Sequence, residues 1–112
     1  MKKTHKCIFA IVNNGYSETV MEAAKARGAK GGTTFHARGT ISKEAEKIFN
    51  VSIQPEKEIV LILAQNELVD GILKALYDSV GTTTPAQGIA FALPVDSVVG
   101  LSAVENKEKE HK

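Results

Sequence analysis

Two segments of this 112-residue chain carry residue types suited to gripping an anion. The first is Gly31-Gly32-Thr33-Thr34-Phe35-His36-Ala37-Arg38-Gly39-Thr40. It reads as a short strand opened by two glycines and closed by a third, just after an arginine. The second, Gln87-Gly88-Ile89-Ala90-Phe91-Ala92-Leu93-Pro94-Val95-Asp96, mirrors it near the C-terminus. Glycine at a strand end lets a ligand come close to the main chain. Arginine's planar fork matches phosphate, and loop amides can cradle phosphate oxygens. The hydroxyls of Thr82-Thr83-Thr84 could add donors. The chemistry this suggests is recognition of a small ligand at strand ends and loops. Plainer readings stand beside it. Arg38 can be an ion-paired surface cation, Gly88 a turn glycine and the threonine run a polar loop.

Bond-making chemistry has little support. His5, His36 and His111 are scattered, and no Ser/His/Asp set or paired-carboxylate motif accompanies them. No second His or Cys lies at ligand spacing from His36, so no metal site is expected. The protein is therefore read as not an enzyme. Cys7 lies in an apolar run and reads as a small core residue; as the single cysteine it fits a reducing, cytoplasmic setting. The formal net charge of +1 argues against a nucleic-acid partner. So do the strand aromatics Phe9, Phe35 and Phe91, which lack basic companions. No apolar run approaches the roughly 20 residues that span a bilayer, so the chain is not expected to be membrane-embedded. With 43% hydrophobic and 24% charged residues, it suits one small domain, residues 1–104, followed by a polar tail, 105–112, that frays.

The elements that must position these residues follow from apolar patterning. Cys7 to Val12 is a buried strand ending at the turn Asn13-Asn14-Gly15. Ser17 is expected to cap a helix running to Ala26, with Gly28 closing it. Strand two spans Thr33 to Arg38. Residues 40–56 are irregular, with a short helix expected over Ser42–Phe49; a loop of this length is more often functional than merely connecting. Strand three is Glu58 to Ala64. Asn66 is expected to cap a helix from Glu67 to Ser79, whose apolar face carries Leu68, Ile72, Leu73 and Leu76. Gly81 to Gly88 is a loop, strand four is Ile89 to Leu93, and residues 94–101 form a turn with a short last strand. The order gives an α+β fold: a ferredoxin-like βαβ-βαβ sandwich, with an antiparallel sheet, both helices on one face and a long loop between strands 2 and 3. The strands read apolar on both faces, so the uncovered face needs a partner.

The ordered set of segments resembles the PII signal-transduction family, the nitrogen regulatory proteins, in a divergent branch. Gly28-Ala29-Lys30-Gly31, Thr33 and Arg38-Gly39 look like the family's second strand and the start of its long T-loop. Glu58 to Leu63 and Glu67 to Leu73 resemble its third strand and second helix. Phe91-Ala92-Leu93-Pro94-Val95 looks like the strand after its B-loop. The resemblance covers roughly residues 5–102.

It implies a homotrimer with nucleotide held in clefts between subunits. Carried over, Thr33 would sit beside the adenine, Arg38 and Gly39 would line the cleft, and Lys57 would stand at the T-loop exit. Gln87 and Gly88 would belong to the B-loop, with the Gly88 backbone near the phosphates. It further implies a regulator, possessing no required cofactor, that senses a small metabolite such as ATP, ADP or AMP. Such a regulator would act on a transporter or metabolic enzyme through the mobile 40–56 loop, in nitrogen metabolism. Three departures bear on this. Ile89 stands where the family has a B-loop lysine. Residues 98–104 lack the family's C-terminal arginines. The T-loop has no tyrosine, so uridylylation is not expected. The lost cations favour a mono- or diphosphate over a triphosphate with Mg²⁺. They leave open a sensor of a non-nucleotide anion, or a structural ferredoxin-like trimer.

Overall fold

Alternate residues of the first strand face opposite sides of the sheet, and both sets are apolar. β1, His5–Asn13, turns Ile8, Ala10 and Val12 into the core, while Cys7, Phe9 and Ile11 face the other way. A computed structural model describes residues 3–40, 44, 47 and 55–100. Within them β1 is followed by α1 (Ser17–Ala26), β2 (Thr33–Arg38), β3 (Glu56–Gln65), α2 (Asn66–Val80) and β4 (Ile89–Pro94). The four strands form one sheet in the order β2-β3-β1-β4, every neighbour antiparallel. This is the expected ferredoxin-like arrangement.

Both helices cover one face. Val20 and Ala24 of α1, and Val69, Ile72, Leu76 and Val80 of α2, pack on Ile8, Ala10, Val12, Val60, Ile62 and Ala64 of the central strands. Leu68 and Leu73, expected on the α2 apolar face, lie at its margin, half-buried. Among the described residues nothing covers the opposite face. Register places Phe35 of β2 beside Ile59 of β3, then Ile11 of β1, then Ile89 of β4. One row along, Phe9 stacks on Phe91 with ring centroids 5.3 Å apart. Phe35, Leu63, Ile89, Phe91 and Leu93 are all exposed there.

Helix ends differ from expectation. Ser17 is the first helical residue of α1, not its cap; Tyr16 holds the cap position and gives no side-chain bond. The cap comes instead from Glu58 of β3, whose Oε1 accepts from the Gly15 and Ser17 amides at 2.8 and 3.2 Å. Asn66 likewise opens α2 from inside the helix, with Gln65 at the cap position, and its side-chain amide donates to Lys3 O. At the other end of α1 the expectation holds in substance. Gly28, at φ +103, follows the cap residue Arg27. Its N–H reaches Lys25 O and that of Ala29 reaches Ala24 O, the paired bonds of a Schellman close. β1, β3 and α2 each run one to two residues longer at their ends than read from the sequence. No strand follows Pro94 among the described residues. Of the helix expected over Ser42–Phe49 only Glu44 and Lys47 are described, both helical; the rest of it, most of the 40–56 loop and the 105–112 tail lie outside the described residues.

Candidate functional site

Asn13 closes β1, and its register partner on β3 is Lys57. Lys57 Nζ donates to Asn13 Oδ1 at 2.6 Å. The Asn13 side-chain amide donates to Pro85 O at 3.1 Å and to Gln87 Oε1 at 3.4 Å. Its backbone N–H donates to Ala86 O at 2.9 Å. Asn13 is only 5% exposed, so these bonds satisfy a buried polar group. A primary amide suits the position because it accepts and donates at once. It ties the start of β3 to the 81–88 loop.

Gly39 leaves β2 at the same end. Its N–H donates to Pro55 O at 2.8 Å. A Cβ on Gly39 would stand 3.0 Å from Lys57 Cε and 3.2 Å from Cγ, so the lysine stem lies across the glycine. The 81–88 loop is internally bonded: Thr84 N–H and Oγ1 both donate to Gly81 O, and Gln87 N–H donates to Thr84 O. Gln87 sits at φ +47, a left-handed conformation uncommon for a side-chain-bearing residue. Gly88 is buried, and its N–H donates to Val80 O at 2.7 Å. A Cβ there would collide with Val80 O and come within 2.8 Å of Val12 Cγ1. Packing alone therefore requires this glycine, and its amide is already engaged.

The structure thus gathers Gly39, Lys57, Gln87 and Gly88 at one end of the sheet. Arg38 is at that end but on the helix-covered side, paired across the strands with Glu56 at 3.6 Å, both side chains well exposed. Lys57 faces the open side, opposite Ala37 and Asn13. It is not a charged edge residue, since β3 is paired on both flanks. Thr33 starts β2, opposite Leu61, and strand rise puts it about 17 Å from Arg38. Sequence reasoning missed Asn13, reading Asn13-Asn14-Gly15 only as a turn. A polar residue ending an apolar strand was the available cue.

Glu58 shapes the electrostatics beside this cluster. Burial alone would raise its pKa. The amides of Gly15 and Ser17, the Ser17 hydroxyl and the charge of His36 outweigh that and hold it below the usual carboxylate range. His36 is its cross-strand neighbour. A shallow cleft of about 240 Å³ also lies between α2 and β4, over Tyr77, Thr82 and Ile89; among the described residues its lining holds no charged side chain. Among the described residues no His, Cys, Asp or Glu cluster could hold a metal ion.

A family model for nitrogen regulatory protein P-II matches residues 5–105. The chain belongs to the P-II family. That family consists of regulatory signalling proteins. Solved structures of P-II proteins share the fold. Arabidopsis thaliana PII bound to citrate superposes with a TM-score of 0.67 at 20% identity, covering 89% of this chain and 82% of that one. CPII of Thiomonas intermedia K12, bound to ADP, AMP and bicarbonate, gives 0.64 at 15% identity, with 87% and 96% covered. The Bacillus subtilis GlnK–ATP complex gives 0.63 at 14%, with 83% and 84% covered. No curated protein gives a significant sequence match. No helix among the described residues of this P-II chain is long and apolar enough to cross a membrane.

Proposed function

We propose that this P-II chain is a non-enzymatic regulator that senses a small anionic metabolite, foremost an adenine nucleotide, in clefts between the copies of a cytoplasmic homotrimer. The observation that carries the reading is the convergence of Lys57, Gly39 and the 81–88 loop at one sheet end, beside an uncovered apolar face. Three copies joined through that face would bury Phe35, Phe91 and Leu93. Thr33, too far from Lys57 on its own chain, would then be supplied to the cleft by a neighbouring copy. Arg38 could reach phosphate only by leaving Glu56, a small cost for an exposed pair. The ADP, AMP, ATP, bicarbonate and citrate found with the fold relatives support an anion of this class. The sensed state would be passed to a transporter or metabolic enzyme through residues 40–56, with nitrogen metabolism the process the family name suggests.

Sedimentation equilibrium together with thermal melting in the presence of ATP, ADP, AMP, citrate and bicarbonate tests this. The reading expects a mass near three 12.0 kDa chains and a melting point raised by at least one of these anions. A monomer at micromolar concentration with unmoved melting would overturn it. A trimer unmoved by all of them would leave a structural trimer.

A further inference from the structure

Lys57 carries a charge that no carboxylate balances among the described residues. Its two sequence neighbours are engaged elsewhere: Glu56 with Arg38, and Glu58 with the amides of Gly15 and Ser17. Lys57 instead donates to a neutral acceptor, Asn13 Oδ1, at 2.6 Å. A neutral amide fixes an ammonium without cancelling its charge, whereas a carboxylate would do both. The same amide bonds the 81–88 loop through Pro85 O and Gln87 Oε1. These contacts in series keep the ammonium within about 8 Å of the Pro85 carbonyl.

We propose that Asn13 is a positioning residue for anion recognition: it holds the Lys57 ammonium beside the 81–88 loop, so that Lys57 supplies the cation at that end of the sheet. This rests on the reading of the site as an anion sensor and adds how the charge is delivered. A free lysine side chain samples many rotamers, and holding it in place beforehand removes part of the ordering cost of binding. The Lys57 stem is guided from one side by Gly39, where no side chain intervenes, and its head is held from the other by Asn13. Asn13 can hold it because the residue is itself locked, buried and bonded through both its backbone N–H and its side chain. Ile89, on the open face and 54% exposed, offers no charge of its own. The ligand class that fits is a compact anion bearing phosphate or carboxylate oxygens, which accept from an ammonium and a loop together.

A double-mutant cycle on the full chain tests the assignment. The probe is whichever of ATP, ADP, AMP, pyrophosphate, citrate or bicarbonate the wild type binds most tightly. Lys57→Met is expected to weaken binding about tenfold, and Asn13→Ala about as much. In the Lys57→Met background, Asn13→Ala is expected to change affinity less than about twofold, because its effect runs through the lysine. An Asn13→Ala loss of the same size in both backgrounds would mean that the residue merely shapes the loop, and would overturn the proposal. So would no loss in either. If the alanine variant does not melt cooperatively, Asn13→Ser, smaller but still polar, takes its place in the cycle. Failure of the wild type to bind every probe overturns the sensor reading and this proposal with it; that outcome is recognisable because it precedes any substitution.

Discussion

A methyl group at Gly88 would press on the Val80 carbonyl and the Val12 side chain, both fixed in the core. Gly88→Ala is therefore expected to cost about 2 kcal/mol of stability, read as a lower denaturant midpoint at unchanged slope. At Gly39 the same methyl meets only the flexible stem of Lys57. Gly39→Ala is expected to change stability by less than about 0.5 kcal/mol while displacing the lysine. Equal destabilisation by the two substitutions would contradict this account of the site. The sequence singled out both glycines but could not separate their reasons. The close approach at Gly88 involves Val80 and Val12, which only the folded chain brings next to it. Asn13 was illegible for a related reason. Its partners lie 44 residues away at Lys57 and 72 away at Pro85, and the one local cue, a polar residue ending an apolar strand, does not name them.

Among the elements, the link between β3 and α1 carries the clearest pH consequence. Glu58 accepts from the first amides of α1, and its pKa lies below the unfolded value of about 4.3. A depressed carboxylate contributes stability above its unfolded pKa and loses it as pH falls through the folded one. The wild type is thus expected to lose stability on acidification from about pH 4.3 downward. Glu58→Gln, which keeps an acceptor but not the charge, should flatten that limb in urea titrations at stepped pH. An unchanged acid limb in the variant would show that other carboxylates dominate it. On α2, Leu76 is buried against the sheet, and Leu76→Ala is expected to cost about 2–5 kcal/mol. Element type and order were legible because apolar runs, Gly-rich breaks and helix-forming stretches agree along the chain. The helix caps were not, because Ser17 and Asn66 fit local propensity while a carboxylate from a distant strand does the capping at α1.

At the scale of the whole molecule, helices cover one sheet face and the other is apolar from Phe35 across to Leu93. The two-sided apolar patterning of β1 and β3 already showed this in the sequence; what would cover the open face was not written there. Leu93→Asp places a charge on the exposed open face, far from the core packing. It is expected to leave the helical circular dichroism intact while shifting the sedimentation mass from three chains towards one. A trimer unaffected by that charge would move the interface elsewhere.

Anion binding at the site end of the sheet, with Lys57 as its cation, is the proposal on which the other readings of the molecule depend. Calorimetric titration of the purified protein with ATP, ADP and AMP, with and without Mg²⁺, addresses it most directly. Saturable binding of at least one nucleotide is expected, ADP or AMP ahead of Mg²⁺-ATP, weakened about tenfold in Lys57→Met. No heat with any nucleotide, or full affinity retained without the lysine, would contradict it.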